Sequence, residues 1–172
     1  VLGCVTLAYV GDVFTSLGPE PGIYAAVMRL QWIGLAFIPS AMFHLSDALL
    51  ATTGLPSRGR RRRVVRILYA YSLVFLLTAA LTNVLIVTVQ SGRTISLQGG
   101  PLFILYGVFF VMANTAAFVN VQRARQRCLT RRTERRMRYL QIAILTPAVG
   151  IFPYSVLLPP GNEFSFVVLM LV

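Results

Sequence analysis

Apolar residues run along this chain in long blocks, separated by short polar or turn-rich breaks. Within a block the pattern repeats neither every second nor every third or fourth position, so no single face is apolar. Helices that are apolar all round are buried, and blocks of about 20 residues suit the hydrocarbon core of a bilayer. The pattern predicts helices over 2–17, 23–51, 64–90, 101–121 and 139–158, and a sixth beginning at Phe164. The fold class expected is all-α, one polytopic transmembrane bundle over residues 1–172 with about six helices. The end blocks are short: nine helical residues from Phe164 cover only about 13 Å. They are read as truncated, and the chain as part of a longer protein.

The breaks carry different signals. Gly18-Pro19-Glu20-Pro21-Gly22 stops the first helix, since proline and glycine continue a helix only at a cost. Pro159-Pro160-Gly161-Asn162-Glu163 is a second tight turn, and 91–100 reads as a turn-rich loop. Prolines within helices, Pro39, Pro147 and Pro153, predict kinks and are candidate pivots. Residues 122–138 contain no proline or glycine and predict a helical extension of the fourth helix.

Composition agrees with a membrane setting. Hydrophobic residues make up 56% of the 172 and charged residues 12%, about half the usual share for a soluble domain. The formal charge of +11 would suggest a nucleic-acid partner if spread over a face. It is not spread. One cluster holds Arg58, Arg60, Arg61, Arg62, Arg63 and Arg66. The other holds Arg123, Arg125, Arg127, Arg131, Arg132, Arg135, Arg136 and Arg138. The intervening breaks contain Arg93 alone, so alternate connections differ sharply in positive charge. That is the mark of topology determinants, with both clusters in the cytoplasm and no nucleic acid bound. Cys128 would then lie in a reducing compartment, and no disulfide with Cys4 is expected.

Candidate chemistry is sparse. Ionisable groups within a bilayer are the first place to look for function. Asp12 and Arg29 sit at similar distances on either side of the first break, so adjacent antiparallel helices would bring them together as an intramembrane ion pair. His44 and Asp47 are three residues apart and share a helix face near the inner interface. Asn83, Asn114, Asn120 and Gln141 suit hydrogen bonds between helices, while Trp32, Tyr69 and Tyr71 suit interfacial anchoring. Gly34, with Thr6, Ala8 and Gly11, suits close helix contact. No phosphate loop, HExxH, GxSxG or CxxC is present. No catalytic residue, metal site or cofactor is expected, and a lone histidine is weak ground for a metal.

The stretch Val27-Met28-Arg29-Leu30-Gln31-Trp32-Ile33-Gly34-Leu35-Ala36-Phe37-Ile38-Pro39 resembles the third helix of the seven-transmembrane sensor region found at the N-terminus of many bacterial histidine kinases. Gly54 stands where that family closes the helix, and Leu81-Thr82-Asn83 is also similar. The resemblance implies that the six blocks correspond to the family's second to seventh helices. It implies a sensory input domain in the bacterial cytoplasmic membrane, without catalytic function of its own. A homodimer through a cytoplasmic output domain, such as a kinase, would follow, with the stimulus left open. The alternatives from other classes are a component of a small-solute transporter, with a midplane cavity lined by Asn83, Asn114 or Gln141, and a structural subunit of a membrane complex.

Overall fold

The structure, a computed structural model, describes residues 1–17, 21–54, 59–91, 94–128 and 130–150. Five helices are described: α1 (Leu2–Ser16), α2 (Pro21–Thr52), α3 (Gly59–Leu81), α4 (Phe103–Gln126) and α5 (Arg131–Gly150). Between α3 and α4 lies an antiparallel hairpin of β1 (Ile86–Ser91) and β2 (Thr94–Gly99). The expected sixth helix, Pro153 and Arg58 lie outside the described residues.

Three helices are long and apolar enough to cross a membrane: Gly22–Thr52, Gly59–Leu81 and Phe103–Gln126. At 1.5 Å per residue the shortest is about 35 Å long, against a hydrocarbon core of about 30 Å. Helix α2 is the hub. It packs against α1, α3 and α4, and α5 packs on α4. Burial follows from that placement: 67% of the apolar window of α2 is buried inside the fold, against 17% for α3 and 33% for α4.

Polarity is inverted relative to a soluble protein. Ile67, Val74, Leu77, Ile104, Val108, Val111 and Met112 face outward, whereas Ser40, Ser46, Ser72, Asn114 and Asn120 are buried. Contiguous apolar surface on this scale belongs against lipid or protein, not water. Interior polar groups then hold helices together, because burial against other helices removes no apolar area from water when lipid is the solvent.

The contacts set direction. Tyr106 reaches Leu35 and Asn120 reaches Ser46, so α4 runs parallel to α2. Ser40 meets Ser72 and Asp47 meets Arg61, so α3 runs antiparallel to it. The C-termini of α2 and α4 and the N-termini of α3 and α5 therefore share one end of the bundle. The described arginines of both clusters lie at that end, and the hairpin lies at the other.

Two expected helices are corrected. The third was placed at 64–90; α3 begins at Gly59 and stops at Leu81, and β1 starts at Ile86. Arg60 to Arg63 are good helix formers and simply join the helix. At the other end, Val84 to Val89 is dominated by β-branched residues and is followed by a Ser-Gly turn signal and the alternation Ile95-Ser96-Leu97-Gln98. Long apolar runs do not distinguish helix from strand, and that ambiguity concealed the hairpin. The helical extension over 122–138 is also interrupted. Helix α4 ends at Gln126, and the Thr130 hydroxyl accepts from the Thr133 backbone N–H at 3.4 Å, capping a new helix.

Helix α2 runs through Pro39 and closes at Gly54, whose φ of +85° is a conformation that a side chain disfavours. Gly34 permits a close approach of α1: a Cβ there would lie 2.5 Å from the Cys4 carbonyl oxygen and 3.3 Å from the Ala8 nitrogen. Gly11 meets Gln31 in the same contact, while Thr6, expected in this seam, is exposed. Gly34→Leu is expected to displace α1 and lower the melting temperature in detergent by several degrees, while Gly3→Ala, with open space around it, leaves it within a degree or so. Equal melting curves for the two variants would show that α1 does not pack as described.

Candidate functional site: a polar seam in the bundle

The seam starts at a backbone defect. Pro39 has no N–H, so the carbonyl of Leu35, four residues earlier, loses its helical partner. The buried Tyr106 hydroxyl donates to that carbonyl at 2.9 Å. The tyrosine ring lies in an aromatic cluster that joins three helices. Its centroid is 5.1 Å from Trp32 of α2 and 5.5 Å from Phe75 of α3, both near edge-on. Edge-to-face packing of this kind holds the ring, and so the hydroxyl, in place. Trp32, expected as an interfacial anchor, is instead wholly buried in this cluster.

The seam continues toward the arginine-rich end. The Ser40 and Ser72 hydroxyls are hydrogen-bonded at 2.6 Å between α2 and α3. Asn120 Nδ2 donates to Ser46 Oγ at 3.2 Å between α4 and α2, and Ser46 donates in turn to the Phe43 carbonyl at 2.7 Å. Asn114 Nδ2 donates to the Phe110 carbonyl of its own helix, and its buried Oδ1 has no hydrogen-bond partner. Asn83 lies in the bend between α3 and β1, outside any described helix.

At the end of the seam α2 and α3 enclose an open cleft of about 460 Å³, lined by His44, Asp47, Ala48, Arg62, Val65 and Arg66. Asp47 is buried, and its Oδ1 lies 3.3 Å from Arg61 Nε. That ion pair offsets the charge, but its geometry is not that of a hydrogen bond, and Oδ1 accepts none. His44 has a partner that its sequence neighbours did not indicate: its Nδ1 lies 3.3 Å from the Tyr69 hydroxyl.

A second polar junction joins α4 to α5. Gln141 Nε2 donates to Gln122 Oε1 at 2.9 Å, and its Oε1 accepts from Arg125 at 3.3 Å. Arg125 also pairs with Glu134 at 3.6 Å, which lies 3.7 Å from Arg138. Gln141 is thus a clasp at the arginine-rich end, not part of a midplane cavity.

The other expected residues are less tightly assembled. Arg29 donates to the Ala80 carbonyl at 3.2 Å, at the C-terminal end of α3. The Asp12 side chain, its expected partner, lies outside the described residues. Pro147 belongs to α5, and its side chain also lies outside them. Among the described residues no group of three or more His, Cys, Asp or Glu could hold a metal ion. Compared with protein-family models, curated proteins and solved structures, the chain matches none.

Two expectations test the seam. Tyr106→Phe orphans the Leu35 carbonyl and is expected to cost about 0.5–2 kcal/mol of stability. Pro39→Ala restores the helical donor, so the same tyrosine change should cost markedly less in that background. Unfolding in mixed micelles measures the cycle, and strict additivity would refute the link. For the cleft, Arg61→Gln leaves the Asp47 carboxylate buried without its counter-ion. It is expected to destabilise more than Asp47→Asn, with the double variant near the asparagine value.

Proposed function

We propose that this chain is the membrane-embedded sensory input domain of a bacterial signalling protein, a histidine kinase being the foremost candidate. It would lie in the cytoplasmic membrane with both arginine clusters on the cytoplasmic side, and would bias an output domain following Val172. The sequence resemblance over Val27–Pro39, with the charge asymmetry of the loops, is the first support.

The observation that carries the reading is the Pro39–Tyr106 device. A proline in the hub helix is held by one hydrogen bond from a neighbouring helix. Such a joint has two discrete arrangements: with the tyrosine bond made, the three helices are locked, and without it α2 is free to bend at Pro39. Motion of α4 relative to α2 would be felt at the Gln122–Gln141–Arg125 junction, and hence by α5. A ligand or membrane change that prefers one arrangement shifts the population by its differential affinity alone. This gives Pro39 the pivot role and leaves chemistry to the output domain.

The transporter reading requires a polar cavity at mid-membrane. The polar cleft found among the described residues lies at the arginine-rich end, and none of Asn83, Asn114 and Gln141 lines it.

The reading frame after Val172 tests the proposal first: a histidine-phosphorylation, PAS or GAF domain would support it, and an early stop would overturn it. In the full-length protein in nanodiscs, Tyr106→Phe is expected to shift basal autophosphorylation by severalfold, and Pro39→Ala should bring the tyrosine variant back toward wild type. Basal activity unchanged in both variants would remove the joint from the signalling path.

A further inference from the structure

The first turns of α5 are built against their own charge. Residues 131–138 hold five arginines against one glutamate, which leaves +4 over eight residues. Positions three or four apart are neighbours on a helix. Arg131–Arg135, Arg132–Arg135, Arg132–Arg136 and Arg135–Arg138 are therefore like-charge pairs, and all five arginines are exposed. They stand, moreover, toward the end of the helix whose dipole is positive. Each of these terms favours fraying of the helix start.

Short contacts hold that start in place. The Thr133 backbone N–H donates to the Thr130 hydroxyl at 3.4 Å. Glu134 lies 3.6 Å from Arg125 of α4 and 3.7 Å from Arg138. Arg125 also donates to Gln141, which donates in turn to Gln122. Glu134 thus ties the basic turns of α5 to the polar junction with α4. When those turns fray, Glu134 leaves Arg125 and the junction loses its ion pair.

The two sets of forces differ in range. The Glu134 pairs are at contact distance, and both Glu134 and Arg125 are partly buried. The exposed arginines repel one another over a longer reach, since neighbouring Cβ atoms are already roughly 5–6 Å apart and the charged tips splay further. The Debye length falls from about 10 Å at 0.1 M salt to about 3 Å at 1 M. Added salt therefore removes the repulsion before it removes the attraction of Glu134. At cellular ionic strength the Debye length is about 8 Å, close to the arginine spacing, so the repulsion changes with salt in that range.

We infer that the α4–α5 junction responds to ionic strength. Rising salt at the arginine-rich end orders the basic turns of α5 and locks them to α4, and falling salt releases them. This supplies a stimulus for the proposed sensor and rests on that reading for its consequence alone. The stimulus is a bulk property of the solution, and no ligand site is needed.

Hydrogen exchange on the full-length protein in neutral nanodiscs tests it. The readout is protection of the amides of residues 135–141, because the first four N–H groups of a helix lack an intrahelical partner. Protection is expected to rise about fivefold between about 0.05 M and about 1 M sodium chloride, while that of residues 110–117 in α4 stays level. Arg132→Gln with Arg135→Gln removes all four like-charge pairs at little change in helix propensity. That variant should show high protection at low salt and no further gain. Arg123→Gln with Arg127→Gln removes the same charge from the end of α4 and should leave the salt response in place.

Chloride, glutamate and phosphate at equal ionic strength should give equal protection. A response to phosphate alone would mean a bound anion and would overturn the inference. So would protection that is flat or falling with salt in the wild-type chain, or a response abolished equally by both double variants, which would report total charge only. Hydrogen exchange needs no output domain, so this result stands or falls apart from the sensor reading.

Discussion

The hydrogen bond from Tyr106 to the Leu35 carbonyl is the contact on which the arrangement of α2, α3 and α4 depends. In a bilayer a backbone carbonyl without a partner cannot turn to water. Pro39 creates such a carbonyl in the helix that α1, α3 and α4 pack around. One hydroxyl meets it, and the same side chain brings a ring that touches both Trp32 and Phe75. The aromatic cluster places the hydroxyl, and the hydroxyl makes the register of α4 against α2 specific. Dispersion between apolar helices would tolerate several registers; a single acceptor within reach of a single donor does not.

The same reasoning explains the rest of the interior. With lipid outside, helices gain little from hiding leucine and much from polar groups that find each other. The Ser40–Ser72 and Ser46–Asn120 bonds are small and short-armed, so they require the backbones to come near. Gly34 performs the matching task against α1 by having no side chain. The polar seam and the close glycine contact are two answers to one constraint, the loss of the hydrophobic effect as a force between helices.

The arginine-rich end shows how positive charge is managed where helices begin. The N-terminus of a helix carries partial positive charge, so Arg60 to Arg63 and Arg131 to Arg136 stand at unfavourable positions. Each helix has one acidic answer. Asp47 comes across from α2 to Arg61, and Glu134 lies between Arg125 and Arg138. At the C-terminus of α4, Arg123 and Arg125 are favourably placed against the helix dipole, and Glu134 pairs with Arg125 from α5. The acidic residues are few, and two of the five sit at these joints.

The sequence by itself determined the solvent, the existence of the long helices and the grouping of charge, because block length and loop charge are local quantities. Gly54 as the end of α2 was expected from the resemblance alone, and its positive φ supplies the physical reason. The defect at Leu35 was legible in principle, since a proline always frees the carbonyl four residues back. The β-branched run at 84–89 and the Thr130 cap were present as signals but were outweighed by unbroken apolarity and by the absence of proline and glycine. Only the tertiary structure decided which donor answers Leu35, that Ser40 faces Ser72, and that Asp47 lies beside Arg61. Those pairings join residues 14 to 71 positions apart. They depend on the rotation and height of whole helices, and no window of sequence contains that information.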